Sequence, residues 1–288
     1  MTIFNTLLLS IAPMAPDAVT SWDAPGVYIS GSAFEVTVTI SAPEGGEVPA
    51  WHLSPAAFEV AKSPLGDRGK SSIELAKGAQ LTLTYDLGPA IESAGSAGGG
   101  SLSLAFAGGE AREVSVMQAA PTGLDFMSMD AAELSKYRVL METTSGDMMM
   151  EFWPDVAPGH VRNFLDLSYT DFYDGLSFHR VIPGFMIQGG CPRGNGSGNG
   201  PRTLQAEFND RKHVPGVLSM ARTADPNSAS CQFFVMHANA THLDGQYSAF
   251  GRVTSDLSVV DKIVKTRGPG DRPTVKQEIK NATVLVAN

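Results

Sequence analysis

The sequence predicts a mainly β protein built of two parts. Residues 27–117 contain short stretches in which apolar and polar side chains alternate, as they do in strands with one solvated face. A second series of strand-like stretches begins near Tyr137, and two helical patterns interrupt it. The charge divides at the same place, because residues 1–136 carry 15 acidic and 6 basic side chains whereas residues 137–288 carry 15 of each. A chain of 288 residues is long enough for each part to bury a core of its own.

Residues 1–20 are expected to form an N-terminal tail. Their short apolar run resembles a weak export signal, but no Lys or Arg precedes Lys62. The cytoplasm is therefore slightly favoured, and a periplasmic or exported location stays open. No apolar run is long enough to span a bilayer. The two cysteines, Cys191 and Cys231, are too few for a disulfide scaffold.

Residues 21–118 are predicted to form a small antiparallel β-sandwich. The clearest alternating stretches lie at residues 34–40, 72–75, 81–85, 101–106 and 112–116. The run of Ser, Ala and Gly at residues 93–100 is predicted to be a loop inside this domain. His52 has no Cys or second His nearby, so a metal site is not expected there. An immunoglobulin-like or fibronectin-like binding module is the default for this pattern, and the sequence names no partner for it.

Residues 119–136 are predicted to be a connector with one short helix. Asp130 and Glu133 have the spacing of a capping box, which fixes the start of that helix. The next elements in order are a hairpin around Ser145–Gly146 and an amphipathic helix that begins at Pro158. The remaining predicted elements are strands at residues 217–220, 232–236, 248–253 and 276–286 and a helix at about residues 255–266.

The most informative stretch is residues 176–190, which predict two short strands bent at Pro183–Gly184. Alternation places Phe178, Arg180 and Ile182 on one face of the first strand. An arginine between apolar side chains is costly unless a fixed cation is needed there. The alternative is an ordinary core strand in which Arg180 pairs with a carboxylate.

Two later segments favour the functional interpretation. They are Ser219-Met220-Ala221 followed by Ser230-Cys231-Gln232-Phe233-Phe234, and Leu243-Asp244-Gly245 followed by Phe250-Gly251. Together with Phe178 to Gly190 they resemble the cyclophilin-type peptidyl-prolyl isomerases, of a bacterial-like kind, from about Tyr137 to the C-terminus. The resemblance implies that residues 137–288 form a closed eight-stranded β-barrel with two helices.

The resemblance also implies an activity, which is cis–trans isomerisation of Xaa-Pro bonds in proline-containing peptides and unfolded protein clients. No cofactor and no metal are implied. Arg180 is implied as the catalytic residue, which stabilises the twisted amide. The implied substrate-binding residues are His179, Phe185, Met186, Gln188, Ala221, Arg222, Gln232, Phe234, His242, Leu243 and Tyr247.

Two positions depart from the family pattern. Many relatives carry Trp where this chain has His242, and His where it has Tyr247. We expect the loss of the indole to weaken binding of the inhibitor cyclosporin more than it affects isomerisation. The segment from Ala221 to Gln232 is one residue longer than in many relatives, which bears on the role of Arg222.

Other functional classes receive less support. An acidic first half and a neutral second half argue against a nucleic-acid partner, which requires a basic surface. The glycine-rich segment at residues 191–201 has neither a following helix nor the Lys-Ser/Thr of a phosphate-binding loop, so it is predicted to be a surface loop. No Gly-x-Ser-x-Gly motif is present. The alternative that stays open is a non-catalytic module that binds proline peptides or acts as a chaperone.

Overall fold

The computed structural model describes residues 19–60, 62–93 and 100–287. Its contacts divide the chain into two compact units, with the boundary between Gln118 and Ala119. Both units are mainly β, and the described residues contain four α-helices in total. None of those helices is long and apolar enough to cross a membrane. The predicted tail and the predicted loop at 93–100 lie almost entirely outside the described residues.

The described residues of the first unit form strands in three sheets. One is formed by β1 (Val19–Asp23), β3 (Glu35–Ala42) and β8 (Ala79–Asp86), which are antiparallel. The second contains β2 (Val27–Ile29), β5 (Phe58–Val60), β6 (Ser63–Pro64), β9 (Gly100–Phe106) and β10 (Arg112–Ala119). The third pairs β4 (Gly46–Pro49) with β7 (Ser72–Leu75). One short helix, α1 (Gly88–Ser93), follows β8.

The core of the first unit follows from the alternation that predicted its strands. In β3 the side chains of Val36, Val38 and Ile40 are fully buried, and the residues between them are partly exposed. All five predicted strands are present. The strands that were missed are short and lack a clear alternating pattern. The pairing of β2 with β10 is parallel, so the predicted antiparallel arrangement does not hold for that pair.

The described residues of the second unit form eight strands and three α-helices. The strands are β11 (Tyr137–Thr143), β12 (Gly146–Phe152), β13 (Arg180–Ile182), β14 (Met186–Gly189), β15 (Val217–Met220), β16 (Phe233–Met236), β17 (Ala249–Val253) and β18 (Ile279–Val286). The helices are α2 (Ala131–Leu134), α3 (Pro158–Tyr169) and α4 (Ser258–Val264). The spatial order of the strands is β13-β14-β16-β15-β17-β12-β11-β18. Every neighbouring pair in this order is antiparallel.

The two end strands of this order, β13 and β18, do not pair with each other in the described residues. The residues just before them do meet, because Ser177 and Glu278 form an isolated antiparallel bridge. Beside it the Phe178 N–H donates to the Gln277 carbonyl at 2.9 Å. The mainly β class is therefore confirmed, but strand pairing does not close the predicted barrel.

Residues 119–136, predicted as a connector, are packed into the second unit. Phe126 is fully buried and makes edge contacts with the rings of Tyr137 and Tyr169, at centroid distances of 5.0 and 5.3 Å. The predicted capping box at Asp130 and Glu133 is confirmed, since each side chain accepts a hydrogen bond from the backbone N–H of the other residue.

One predicted strand face is wrong. Phe178 and Val181 are both buried in the core, whereas Arg180 is exposed. Strand β13 begins only at Arg180, so the alternation does not extend back through His179 to Phe178. Arg180 and Ile182 lie together on the opposite face, where Ile182 packs against a separate small apolar cluster.

Candidate active site

A groove of about 350 Å³ lies in the second unit. Strand β13 supplies Arg180, and the bend after it leads to Phe185 and β14. A 3₁₀ turn at Thr241–Leu243 supplies two further side chains. Ten of the twelve predicted site residues line this groove: Arg180, Phe185, Met186, Gln188, Ala221, Arg222, Phe234, His242, Leu243 and Tyr247.

The apolar wall of the groove is preformed. Met186, Phe234 and Leu243 are buried in a cluster that is separate from the main core of the unit. Tyr247 contacts the edge of the Phe234 ring at a centroid distance of 5.8 Å. Because neighbouring side chains already hold these rings, an apolar ligand would enter without a large ordering cost.

A relay of side-chain amides runs from Arg180 away from the groove. The Arg180 guanidinium donates to Oε1 of Gln188 at 3.4 Å, and Nε2 of Gln188 donates to Oε1 of Gln232 at 3.1 Å. Nε2 of Gln232 in turn donates to the carbonyls of Gly196 and Gly198, at 2.9 and 2.8 Å. The glycine-rich loop therefore contacts the site through Gln232.

Gln232 lines a second, smaller cavity of about 100 Å³, which we call the side cavity. The side cavity shares Gln188, Ala221 and Arg222 with the groove. Its other lining residues are Gly196, Asn199, Thr223, Ser228 and Ser230. These residues are small or polar, so the side cavity suits a polar group better than the groove does.

His179 lines neither cavity. Its backbone N–H donates to the Gln188 carbonyl at 3.0 Å, and its ring approaches Gly196 in the glycine-rich loop. Burial lowers the pKa of His179 from its ordinary value. It therefore stands behind the site residues rather than among them.

The loop itself is folded around Cys191. The thiol is buried and accepts hydrogen bonds from the N–H groups of Gly196 and Gly198, at 3.3 and 3.2 Å. Burial raises the pKa of Cys191, but the surrounding backbone N–H groups outweigh it and the net shift is downward. The predicted surface loop is thus anchored at its centre.

A buried histidine that the sequence analysis did not assign to the site supports the apolar wall. The His213 ring stacks on Phe234 at a centroid distance of 6.2 Å. Its Nδ1 lies 3.1 Å from the Asp244 carboxylate, and its Nε2 lies 3.1 Å from the Ser219 hydroxyl. Burial lowers the pKa of His213 although Asp244 opposes this shift. The sequence pointed to His213 only through its partner Asp244, which belongs to the Leu243-Asp244-Gly245 motif. His213 and Asp244 are 31 positions apart, so the sequence alone did not connect them.

The second unit is similar to known proteins. The family model for cyclophilin type peptidyl-prolyl cis-trans isomerases matches residues 138–284. A peptidyl-prolyl cis-trans isomerase of Synechococcus elongatus is 45% identical over 135 residues, which cover 47% of this chain and 91% of the relative. Peptidyl-prolyl cis-trans isomerase B of Bacillus subtilis is 49% identical over 109 residues, covering 37% and 76%. The crystal structure of a Cryptosporidium parvum cyclophilin type isomerase is similar at 30% identity and a TM-score of 0.50, covering 52% of this chain and 98% of that one.

Proposed function

Since the chain belongs to the cyclophilin-type peptidyl-prolyl cis-trans isomerase family, it is a peptidyl-prolyl isomerase, and we propose that the groove is its active site. The observation that carries the proposal is the presence of one exposed guanidinium, Arg180, beside a buried apolar wall. A proline residue has a complementary group for each of these features: its apolar ring fits the wall, and its tertiary amide nitrogen can accept a hydrogen bond from the guanidinium.

The chemistry requires stabilisation of a twisted amide rather than a nucleophile. Amide resonance raises a rotation barrier of about 18–20 kcal/mol. As the bond twists, the lone pair returns to the prolyl nitrogen, which then becomes a better hydrogen-bond acceptor. Arg180 would donate to that nitrogen mainly in the twisted state, so the contact lowers the barrier rather than tightening ground-state binding. A guanidinium suits this task because it stays charged at physiological pH.

The other residues take supporting roles in this proposal. Phe185, Met186, Phe234 and Leu243 would hold the pyrrolidine ring, and Gln188 would orient Arg180. Ala221 and Gln232 would contact the peptide backbone, and His242 and Tyr247 would border the groove. We propose that His179 acts from behind the site through the Gln188 backbone.

Three further proposals concern the closure of the barrel, the substrates and the roles of the two units. We infer a cyclophilin-like barrel, closed at residues 175–178 and 277–279 by backbone hydrogen bonds. We propose proline-containing peptides and unfolded protein chains as substrates. The first unit would be an immunoglobulin-like or fibronectin-like sandwich, and the second would carry the isomerase activity by itself.

Substitution of Arg180 tests the assignment. Arg180→Ala should lower kcat for a Xaa-Pro peptide far more than it raises KM, because the contact forms chiefly in the twisted state. Arg180→Lys, which keeps the charge without the planar fork, should recover a small part of the rate. Arg252→Ala is the matched control, since Arg252 is an exposed arginine on β17 that does not line the groove. Near wild-type activity of purified Arg180→Ala would refute the mechanism.

A further inference from the structure

The walls of the groove and the side cavity carry positive charge that nothing nearby neutralises. Arg180 and Arg222 line the groove, and none of the described Asp and Glu residues lines either cavity. Neither arginine forms an ion pair with any residue that the structure describes, whereas Arg202, Arg211 and Arg252 all pair with carboxylates. These two guanidinium groups therefore lack the carboxylate partners that other arginines of residues 137–288 have, although that part of the chain carries as many acidic as basic side chains.

Arg222 stands where the two cavities meet, and its guanidinium is held by neutral groups. Its terminal nitrogens donate to the carbonyls of Thr223 and Gln246, at 2.8 and 3.0 Å. The guanidinium also lies over the Tyr247 ring, 4.5 Å from the centroid. Carbonyl oxygens and an aromatic face fix its position without cancelling its charge.

One donor of Arg222 is left over. Its Nε–H is buried and has no hydrogen-bond partner among the described residues. A buried donor without a partner is costly, so the Arg222 side chain is not fully satisfied by its protein contacts. The adjoining side cavity has room for a small polar group, and the hydroxyls of Thr223 and Ser228 line it.

We infer that Arg222 makes this isomerase select substrates with an acidic side chain next to the proline. The inference rests on the groove being the active site. A carboxylate from the residue beside the proline would lie at the junction of the two cavities, where it accepts from Arg222 while Arg180 acts on the prolyl nitrogen. The preference is for negative charge, so Asp and Glu should exceed their amide isosteres Asn and Gln, which have the same shape.

The test compares matched peptides rather than absolute rates. Four-residue chromogenic peptides with Ala, Gln or Glu at each position next to the proline are assayed for kcat/KM. At the favoured position the Glu peptide should exceed the Gln peptide by about three- to thirty-fold in wild type, the range expected for one charge-assisted contact. This ratio should fall as the salt concentration rises from about 20 to about 500 mM, because the Debye length then shortens from about 20 to about 4 Å and the charges are screened.

Substitution assigns the preference to one residue. Arg222→Gln should bring the Glu/Gln ratio to near one, and Arg222→Lys should retain part of it. The control Arg252→Gln removes the same charge outside both cavities and should leave the ratio unchanged. A ratio below two at every position in wild type, or an unchanged ratio in Arg222→Gln, would overturn the inference. Isomerisation of the Ala peptide in the same assay reports on the proposed function separately.

Discussion

The boundary at Ala119 leads to a prediction about which fragment of the chain is a self-sufficient enzyme. All residues proposed for the site lie beyond it, and the charge balance of the chain changes near it. A fragment of residues 119–288 should therefore fold and isomerise short peptides at close to the full-length rate. A fragment that begins at Leu134, near the end of the predicted connector, should be substantially less stable.

The stability that the shorter fragment should lose can be estimated from the burial of Phe126. Its side chain is fully buried between Tyr137 and Tyr169, and replacing a buried Phe with Ala typically costs about 3–5 kcal/mol. The segment also supplies the Ala120 N–H that donates to Val284 and the Met129 carbonyl that accepts from Arg162, both at 2.8 Å. A typical domain has a free energy of unfolding of about 5–15 kcal/mol, so a loss of this size should leave the shorter fragment only marginally stable.

Urea unfolding followed by circular dichroism measures the difference, and a peptide assay measures activity. In the longer fragment, Phe126→Ala should reproduce most of the loss. Met127→Ala is the matched control, because Met127 is 37% exposed and should cost under about 1 kcal/mol. If the two fragments are equally stable, residues 119–133 do not belong to the second unit. If the longer fragment fails to fold, the division into two units is wrong.

Three further predictions concern histidines. Cyclosporin should bind the wild type weakly in a calorimetric titration, and His242→Trp should tighten it about ten- to hundred-fold with little change in isomerase rate; nanomolar binding by the wild type would contradict this. Burial, with a smaller effect of Arg68, lowers the pKa of His52 to about 4, so unfolded chains take up a proton between pH 6.5 and 4 that the folded unit does not. The free energy of unfolding of the first unit should therefore decrease by up to about 3 kcal/mol as the pH falls from 6.5 to 4. Urea unfolding should show this decrease in the wild type and not in His52→Phe. His213→Phe keeps the ring against Phe234 but breaks the contacts with Asp244 and Ser219, so KM for a Xaa-Pro peptide should rise more than kcat falls; an unchanged KM would exclude a positioning role.

The elements that depend on neighbouring residues could be predicted from the sequence. Helix α3 begins at Pro158 as predicted, and the capping box at Asp130 is closed by Glu133 three residues later. The hairpin of β11 and β12 turns where Ser145 and Gly146 predicted it. In each case the stabilising contacts lie within a few positions along the chain.

The features that were missed depend on distant residues. The Phe126 ring packs against Tyr169, 43 positions later, so nothing in its own segment shows what buries it. His213 finds its carboxylate 31 positions away. For the site itself, the residues could be grouped only through the resemblance to a family, because nothing in the local pattern joins Arg180 to His242.

The amide relay shows why the glycine-rich loop belongs to the site. Carbonyl oxygens can only accept, so the carbonyls of Gly196 and Gly198 require the nitrogen of the Gln232 amide to face the loop. The Gln232 oxygen must then face Gln188, whose nitrogen donates to it and whose own oxygen is left to face Arg180. At Gly198 an added Cβ would lie 2.9 Å from Pro192, so glycine is needed to bring that carbonyl into place. The glycine-rich loop thus orients the acceptor that holds an exposed guanidinium over the groove.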